Sequence, residues 1–226
     1  SGTATAAARD LRWGINGHPF TQYRGVSLEQ QLDYVKDLGL SYYRVDVVDE
    51  RALPKLRTLV RLAKERGITI LPVVTPNISL TALSPEEIYK RAFERAVALV
   101  APLKGDIRVW ELGNEVENYA IINPCELRDN GERYNCSWGP AGGISPLDYY
   151  GPRWSKASAL IRGLTEGVKS VDPQIRRAIG TAGWGHIGAF ERFEDDGLEW
   201  EVSIWHMYGQ DPEWALKRLA EFGKPV

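Results

Sequence analysis

The stretch IRVWELGNEV, residues 107–116, decides how the rest of the chain is interpreted. Its first half is apolar enough for a buried strand, and Gly113 then interrupts the run, so that Asn114 and Glu115 stand where the strand should end. Charged side chains are seldom placed beside a buried strand without a partner or a function. Whether Glu115 has a function depends on what the other strands bring to the same place.

Predicted strands recur along the chain at regular intervals. They cover residues 12–18, 41–48, 68–74, 107–116, 176–184 and 201–208, and KPV at 224–226 is expected to open a seventh strand. Amphipathic helices are predicted between them. Strict alternation of strands and helices is typical of parallel strands that are covered by helices.

The predicted helices carry clear boundary signals. Ser27 and Gln30 form a capping box for the first helix, and Ser84 is the N-cap of the third. The first helix is expected to bury the stripe Leu28, Leu32, Val35 and Leu38, and the helix after the long loop is expected to bury Trp154, Ala157, Ile161, Leu164 and Val168. These stripes predict helices that pack on one side only.

Two folds satisfy this alternation, a doubly wound open sheet and a (β/α)8 barrel. No GxGxxG motif or P-loop follows the first strand, which counts against a nucleotide-binding open sheet. Polar or aromatic side chains recur at the C-terminal ends of the strands: His18, Asp46, Asn77, Glu115, Trp184, His206 and Tyr208. This pattern favours a ring of strands around one site. We predict an incomplete TIM (β/α)8-type barrel of about six and a half β/α units, a single domain over residues 12–226 after a flexible tail over residues 1–11.

The composition excludes several classes of function. The 226 residues carry a formal net charge of -2 with scattered Lys and Arg, so neither nucleic acid nor a membrane surface is an expected partner. No apolar run reaches the roughly 18 residues of a membrane span. The three His residues show no clustering with carboxylates, so no metal or cofactor is expected.

Cys125 and Cys136 lie in one predicted loop. Paired, they would staple that loop and indicate an oxidising compartment, which would make the protein secreted or periplasmic. The alternative is two free thiols.

The second predicted strand places charge on a buried face. Because side chains alternate along a strand, Arg44 and Asp46 of YYRVDV point to the same side. Charges on a buried face are costly unless they are paired. Either these two side chains pair with each other, or Arg44 keeps an active-site carboxylate ionised.

Glu115 is the strongest candidate for chemistry. On the rim of a barrel, half shielded from water, a Glu suits general acid catalysis, and Asn114 offers a donor and an acceptor to a substrate hydroxyl. The alternative is a solvated loop carboxylate after a turn at Gly113. We expect Glu111 to be a structural part of the barrel interior and Glu117 to be solvated or at the substrate rim.

His206 and Tyr208 share one face at the end of the sixth predicted strand, where they could orient a carboxylate or bind sugar hydroxyls. A core histidine with its hydrogen bonds satisfied is the alternative. Eight Trp residues are many for this length, and aromatic faces suit the apolar faces of pyranose rings. The candidate substrate-binding residues are His18, Asp46, Asn77, Trp138, Trp184 and Trp205, whereas Trp110, Trp154 and Trp214 are expected to serve packing.

Three of these motifs together resemble clan A of the glycoside hydrolases. WELGNE (110–115) resembles the clan's Trp-Glu-x-x-Asn-Glu pattern, YRVDV (43–47) its strand-two Arg, and HMY (206–208) its strand-six His-x-Tyr. The similarity runs in order from about residue 12 to 226, and it is closest to family 39 and related bacterial exopolysaccharide hydrolases, with family 5 next. It implies retaining hydrolysis of a glycosidic bond by two carboxyl groups about 5–5.5 Å apart.

The resemblance also implies roles for single residues. Glu115 would be the acid/base, Asn114 would bind a substrate hydroxyl, Arg44 would contact the nucleophile, and His206 and Tyr208 would lie near it. The clan's nucleophile is a Glu at the end of strand seven, beyond a stretch like GKPV, and we expect it to be missing from this chain.

Three interpretations of this difference stay open: a fragment of a longer enzyme, a chain completed by a partner or by self-association through open barrel edges, and a natural remnant. We expect weak activity at best and a tendency to form homo-oligomers. The alternative function is a catalytically incomplete carbohydrate-binding or self-assembling barrel fragment.

Overall fold

The computed structural model describes residues 11–226, so most of the predicted tail over residues 1–11 lies outside the described residues. Within the described part, strands and helices alternate as predicted, and several strands are shorter than expected. The elements are β1 (Gly14–Gly17), α1 (Leu28–Asp37), β2 (Tyr42–Val47), α2 (Leu53–Glu65), β3 (Thr69–Val74), α3 (Pro85–Val100), β4 (Val109–Leu112), α4 (Gly151–Val171), β5 (Arg176–Thr181), α5 (Ile187–Asp195), β6 (Val202–Trp205) and α6 (Glu213–Ala220).

The strands form one parallel sheet in the order β1-β2-β3-β4-β5-β6. This order follows the chain without the reversal of a doubly wound sheet. The sheet curls into a half-barrel, and the helices lie on its outside. The predicted incomplete TIM barrel is confirmed. The segment that was expected to open strand seven lies along β6, where the Ser203 N–H donates to the Pro225 carbonyl at 2.8 Å.

The strand register separates an inner face from an outer one. Asn16 is level with Arg44, and Asp46 is in one row with Val73 and Glu111, so these side chains point into the barrel. Tyr43 points the other way, and its hydroxyl donates to Gln31 Oε1 of α1 at 2.8 Å. The outer face is therefore the core beneath the helices, and the inner face is free to carry polar groups.

The capping boxes at Ser27 and Ser84 form as predicted, and the predicted stripe of α4 is buried throughout. Leu38 is a correction, because α1 ends at Asp37 and the Leu38 side chain, at the C-cap, is 66% exposed. No helix within residues 11–226 has the length and hydrophobicity needed to cross a membrane.

A long loop joins β4 to α4 and is fixed at several points. Cys125 and Cys136 form the predicted disulfide. Arg153, in the first turn of α4, donates to both carboxylate oxygens of Glu126 at 2.5 and 2.7 Å and to the Tyr119 carbonyl at 2.9 Å. The loop is thus a braced structure beside the C-terminal ends of the strands.

Candidate functional site

The tip of β4 turns sharply. The Gly113 N–H donates to the Val74 carbonyl at 2.9 Å, and a Cβ on Gly113 would lie 2.7 Å from Val116 Cγ2 and 2.8 Å from Ile161 Cδ1, so only glycine fits. Glu115 follows in the left-handed region, with φ at 52° and ψ at 36°. A non-glycine residue there costs about 1–3 kcal/mol, and such strain clusters at functional sites. The turn places the Glu115 side chain at the rim, where it is 28% exposed.

Glu115 contacts a histidine from the far side of the sheet. Its Oε1 lies 2.8 Å from His206 Nδ1, across 91 residues of sequence. His206 follows β6 on the inner face, since Val202 is level with Ala178, which is level with Glu111. The contact fixes the orientation of the Glu115 carboxyl group beside an imidazole.

Arg44 joins β2 to β4 inside the barrel. Its Nε and Nη2 donate to the two oxygens of Glu111 at 2.6 Å each, and Nη2 also donates to Asn114 Oδ1 at 2.9 Å. Burial opposes the charge of Arg44, but the hydrogen bonds and negative charge of Glu111 hold its pKa above the ordinary value. Of the two sequence-based alternatives for Arg44, pairing with Asp46 is not observed. Arg44 instead orients Asn114 beside Glu115.

Asp46 pairs with His18 at the tips of β1 and β2. Its Oδ1 lies 2.7 Å from His18 Nδ1, and the two side chains are 23% and 49% exposed. Next to them, Asn16 Oδ1 accepts a hydrogen bond from Arg44 Nη1 at 3.3 Å. A second polar pair therefore reaches solvent beside the Arg44 network.

Two predicted substrate-binding residues lie away from this group. Trp205 faces outward, because it alternates with His206 along the strand, and it packs edge-on against Trp214 of α6 with ring centroids 5.8 Å apart. The structure therefore places Trp205 apart from the other candidate substrate-binding residues. Asn77 Oδ1 accepts from Arg95 Nη1 of α3 at 3.1 Å, which ties it to the helix layer.

Three predicted aromatic residues remain accessible at the rim. Tyr208 is 72% exposed, and Trp184 and Trp138 are each 60% exposed. Trp184 has a positive φ of 54°, and Trp138 stacks edge-on against Tyr134 in the disulfide loop. Each presents apolar surface to solvent.

Glu117 and His186 form a buried pair that the sequence did not reveal. Glu117 is 1% exposed, and its Oε1 lies 3.0 Å from His186 Nδ1 and accepts from the Ala182 N–H at 2.5 Å. The prediction that Glu117 is solvated or at the substrate rim is wrong, because the 3₁₀ turn Val116–Ala120 directs its side chain inward. Burial raises the pKa of the neighbouring Tyr149, and the charge of Glu117 adds to the effect.

Within residues 11–226, no group of three or more His, Cys, Asp and Glu side chains is arranged to hold a metal ion.

Comparison with known proteins gives a result at the level of fold. No family model matches the sequence, and a search of curated proteins finds no match. A GH10 endoxylanase from a sugarcane soil metagenome is similar with a TM-score of 0.60 and 13% identity, over 95% of this chain and 65% of that one. The Ignisphaera aggregans GH53 catalytic domain gives a TM-score of 0.53 at 19% identity, over 81% and 52%. An endo-1,4-beta-mannanase from Eisenia fetida gives 0.51 at 14%, over 87% and 68%.

This chain therefore spans about half to two thirds of the lengths of these three proteins. At such low identity the likeness shows the TIM-barrel fold alone.

Proposed function

We propose that this chain carries the acid/base side of a retaining glycoside hydrolase site of the clan A type, which cleaves O-glycosidic bonds in an oligo- or polysaccharide. The Glu115–His206 contact of 2.8 Å at the barrel rim carries the proposal. It is supported by the likeness in fold to an endoxylanase and an endo-1,4-beta-mannanase. Within the clan, the sequence motifs favour family 39.

In this mechanism Glu115 donates a proton to the departing glycosidic oxygen and later accepts one from water. His206 orients the carboxyl group and exchanges a proton with it. Asn114, held by Arg44, binds a sugar hydroxyl beside the scissile bond. Tyr208, two residues after His206, continues this surface toward solvent.

The sugar rings would contact the groups that reach solvent around this centre. Trp184 and Trp138 offer exposed aromatic faces for stacking on pyranose rings. The His18–Asp46 pair offers a donor and acceptors for hydroxyl groups.

A retaining mechanism needs a second carboxyl group about 5–5.5 Å from the first. In the described part of the chain, Arg44 binds both oxygens of Glu111, His18 binds Asp46, and Glu117 is buried. We therefore propose that none of these carboxylates is the nucleophile and that a seventh strand, next to β6, supplies it. The segment next to β6 at Pro225 supports that position.

The test compares Glu115→Gln with the parent, both in a chain extended to carry the proposed seventh-strand nucleophile, on two kinds of substrate. On xylo- and manno-oligosaccharides, loss of the acid should slow hydrolysis by about 10²–10⁴-fold. On a dinitrophenyl glycoside the loss of glycosylation rate should be far smaller, because that leaving group departs without a proton. Glu94→Gln, an exposed carboxylate on α3, is the control and should leave both rates unchanged. Equal losses on the two substrates, or none, would remove Glu115 from this role.

A carbohydrate-binding or self-assembling module is the second candidate. Within residues 11–226 β1 pairs only with β2, and Trp13 and Ile15 on its outer side are 65% and 42% exposed. An unpaired edge with apolar neighbours favours association with another chain. Calorimetric binding of oligosaccharides without product, together with a concentration-dependent mass in sedimentation, would favour this candidate.

We also propose that residues 12–226 form a single domain and that the protein is secreted or periplasmic. The Cys125–Cys136 disulfide supports an oxidising compartment.

A further inference from the structure

The carboxylate of Glu117 anchors the loop that follows β5, residues 182–186. At the start of the loop the Ala182 N–H donates to Glu117 Oε1 at 2.5 Å, and at its end His186 Nδ1 lies 3.0 Å from the same oxygen. The His186 N–H also donates to the Gly183 carbonyl at 2.9 Å, which closes the loop on itself. A single oxygen therefore fixes both ends of the 182–186 loop.

This loop carries an exposed aromatic ring and supports the candidate site. Trp184, in its middle, is 60% exposed with a φ of 54°. Gly183 lies against the backbone of His206, so closely that a Cβ on Gly183 would be 1.7 Å from the His206 carbonyl oxygen. On the other side, Ile144 is 61% exposed, and a Cβ on Gly185 would lie 2.6 Å from its Cγ1. The loop thus joins an apolar rim surface to the histidine that contacts Glu115.

The carboxylate itself is incompletely paired. The Glu117 side chain is fully shielded from water. Even so, within residues 11–226 its Oε2 has no hydrogen-bond partner. A buried carboxylate with one unpaired oxygen is costly, so a gain in stability does not explain its presence. The oxygen that is paired makes every one of its contacts to the 182–186 loop.

We propose that Glu117 is a positioning residue. By holding Ala182 and His186, it fixes Trp184 as a wall for the sugar and keeps Gly183 against His206, and so sets the position of the imidazole beside Glu115. The sugar-binding part of this inference rests on the proposed function, whereas the anchoring of the loop does not.

Hydrogen exchange measured by mass spectrometry tests the anchoring. In Glu117→Ala the amides of residues 182–188 should exchange about tenfold faster or more, because a hydrogen bond to a charged acceptor is lost. Glu117→Gln keeps an acceptor oxygen and should restore exchange to within about threefold of the parent. The matched control is Glu201→Ala, because Glu201 Oε2 accepts from the Arg177 N–H at 2.7 Å at the opposite end of β5. Exchange in residues 182–188 should not change in this control.

A second pair of variants covers a failure of Glu117→Ala to fold. His186→Ala removes one contact to Glu117, whereas His186→Asn places an amide N–H close to the position of Nδ1. We expect fast exchange of the loop in the first variant and near-parent exchange in the second. Equal exchange in both, or a rise in Glu201→Ala that matches the rise in Glu117→Ala, would overturn the inference.

Oligosaccharide binding measured by calorimetry separates this inference from the proposed function. If the parent binds, Glu117→Ala should weaken binding at least tenfold while Glu117→Gln stays within about threefold. If the parent binds no oligosaccharide, the proposed function fails, and the exchange measurement still decides whether Glu117 anchors the loop.

Discussion

The pairing of Arg44 with Glu111 makes an asymmetric prediction about stability. Glu111 is 1% exposed and receives two hydrogen bonds of 2.6 Å from Arg44, which is itself 23% exposed. Arg44→Met leaves the Glu111 carboxylate buried without its counter-charge. Glu111→Gln leaves an arginine that still donates to Asn16 and Asn114 and reaches water.

The magnitudes follow from these environments. Removing one partner of a buried ion pair costs about 3–5 kcal/mol, and because water reaches part of the Arg44 side chain we expect about 2–4 kcal/mol for Arg44→Met. For a chain of 226 residues this lowers the melting temperature by about 4–16 °C. Glu111→Gln should cost about 1–2 kcal/mol. The double variant Arg44→Met/Glu111→Leu should recover most of the loss, because it removes both charges together.

Urea unfolding followed by tryptophan fluorescence measures these differences, with the slope m checked for constancy among the variants. A loss below 1 kcal/mol for Arg44→Met would refute the reasoning. An equal loss of stability for Glu111→Gln and Arg44→Met would also refute the reasoning. The expected difference arises because Glu111 left alone is shielded from water, whereas Arg44 left alone reaches it.

Three further predictions concern separate parts of the chain. Gly183→Ala should lower stability and displace His206, because the added Cβ would lie 1.7 Å from the His206 carbonyl oxygen and φ is 79°; the unfolding free energy and the imidazole NMR signals report this, and an unchanged His206 signal would contradict it. Cys125→Ser/Cys136→Ser should cost about 2–3 kcal/mol, because the disulfide closes an 11-residue separation; equal unfolding midpoints for the parent and the double variant would contradict it. Burial, with smaller charge effects, raises the pKa of Tyr43 to about 12. The stability that the protonated Tyr43 contributes is therefore complete below the unfolded pKa of about 10 and is lost as the pH rises to about 12. Between about pH 9 and 12 the unfolding free energy of Tyr43→Phe should fall by about 2 kcal/mol less than that of the parent, and parallel plots of unfolding free energy against pH would contradict this.

The fold could be predicted from the sequence because its signals are local. Helical spacing, the capping boxes at Ser27 and Ser84 and the alternation along β2 are set by residues close in sequence, and the structure confirms them. Leu38 shows the limit of periodicity, because the stripe continues one residue past the end of α1 and that residue faces solvent.

The candidate site could be predicted only in part, because its pairings join distant segments. Arg44 and Asp46 share a face as predicted, yet their partners are Glu111 and His18, since side-chain alternation fixes the direction of a side chain and leaves its partner open. Glu117 gave no local signal of burial, because its contacts come from a loop more than sixty residues later. The sequence feature that could have indicated this pair is His186, which directly precedes a short helix.

The position of a bound oligosaccharide tests the central claim most directly. A crystal structure of the Glu115→Gln variant with a xylo- or manno-oligosaccharide should show a glycosidic oxygen within about 2.6–3.2 Å of the residue 115 side chain. A sugar ring should also contact Trp184 or Trp138. An oligosaccharide bound at the helix layer or at the N-terminal ends of the strands, with the residue 115 side chain free, would contradict the account.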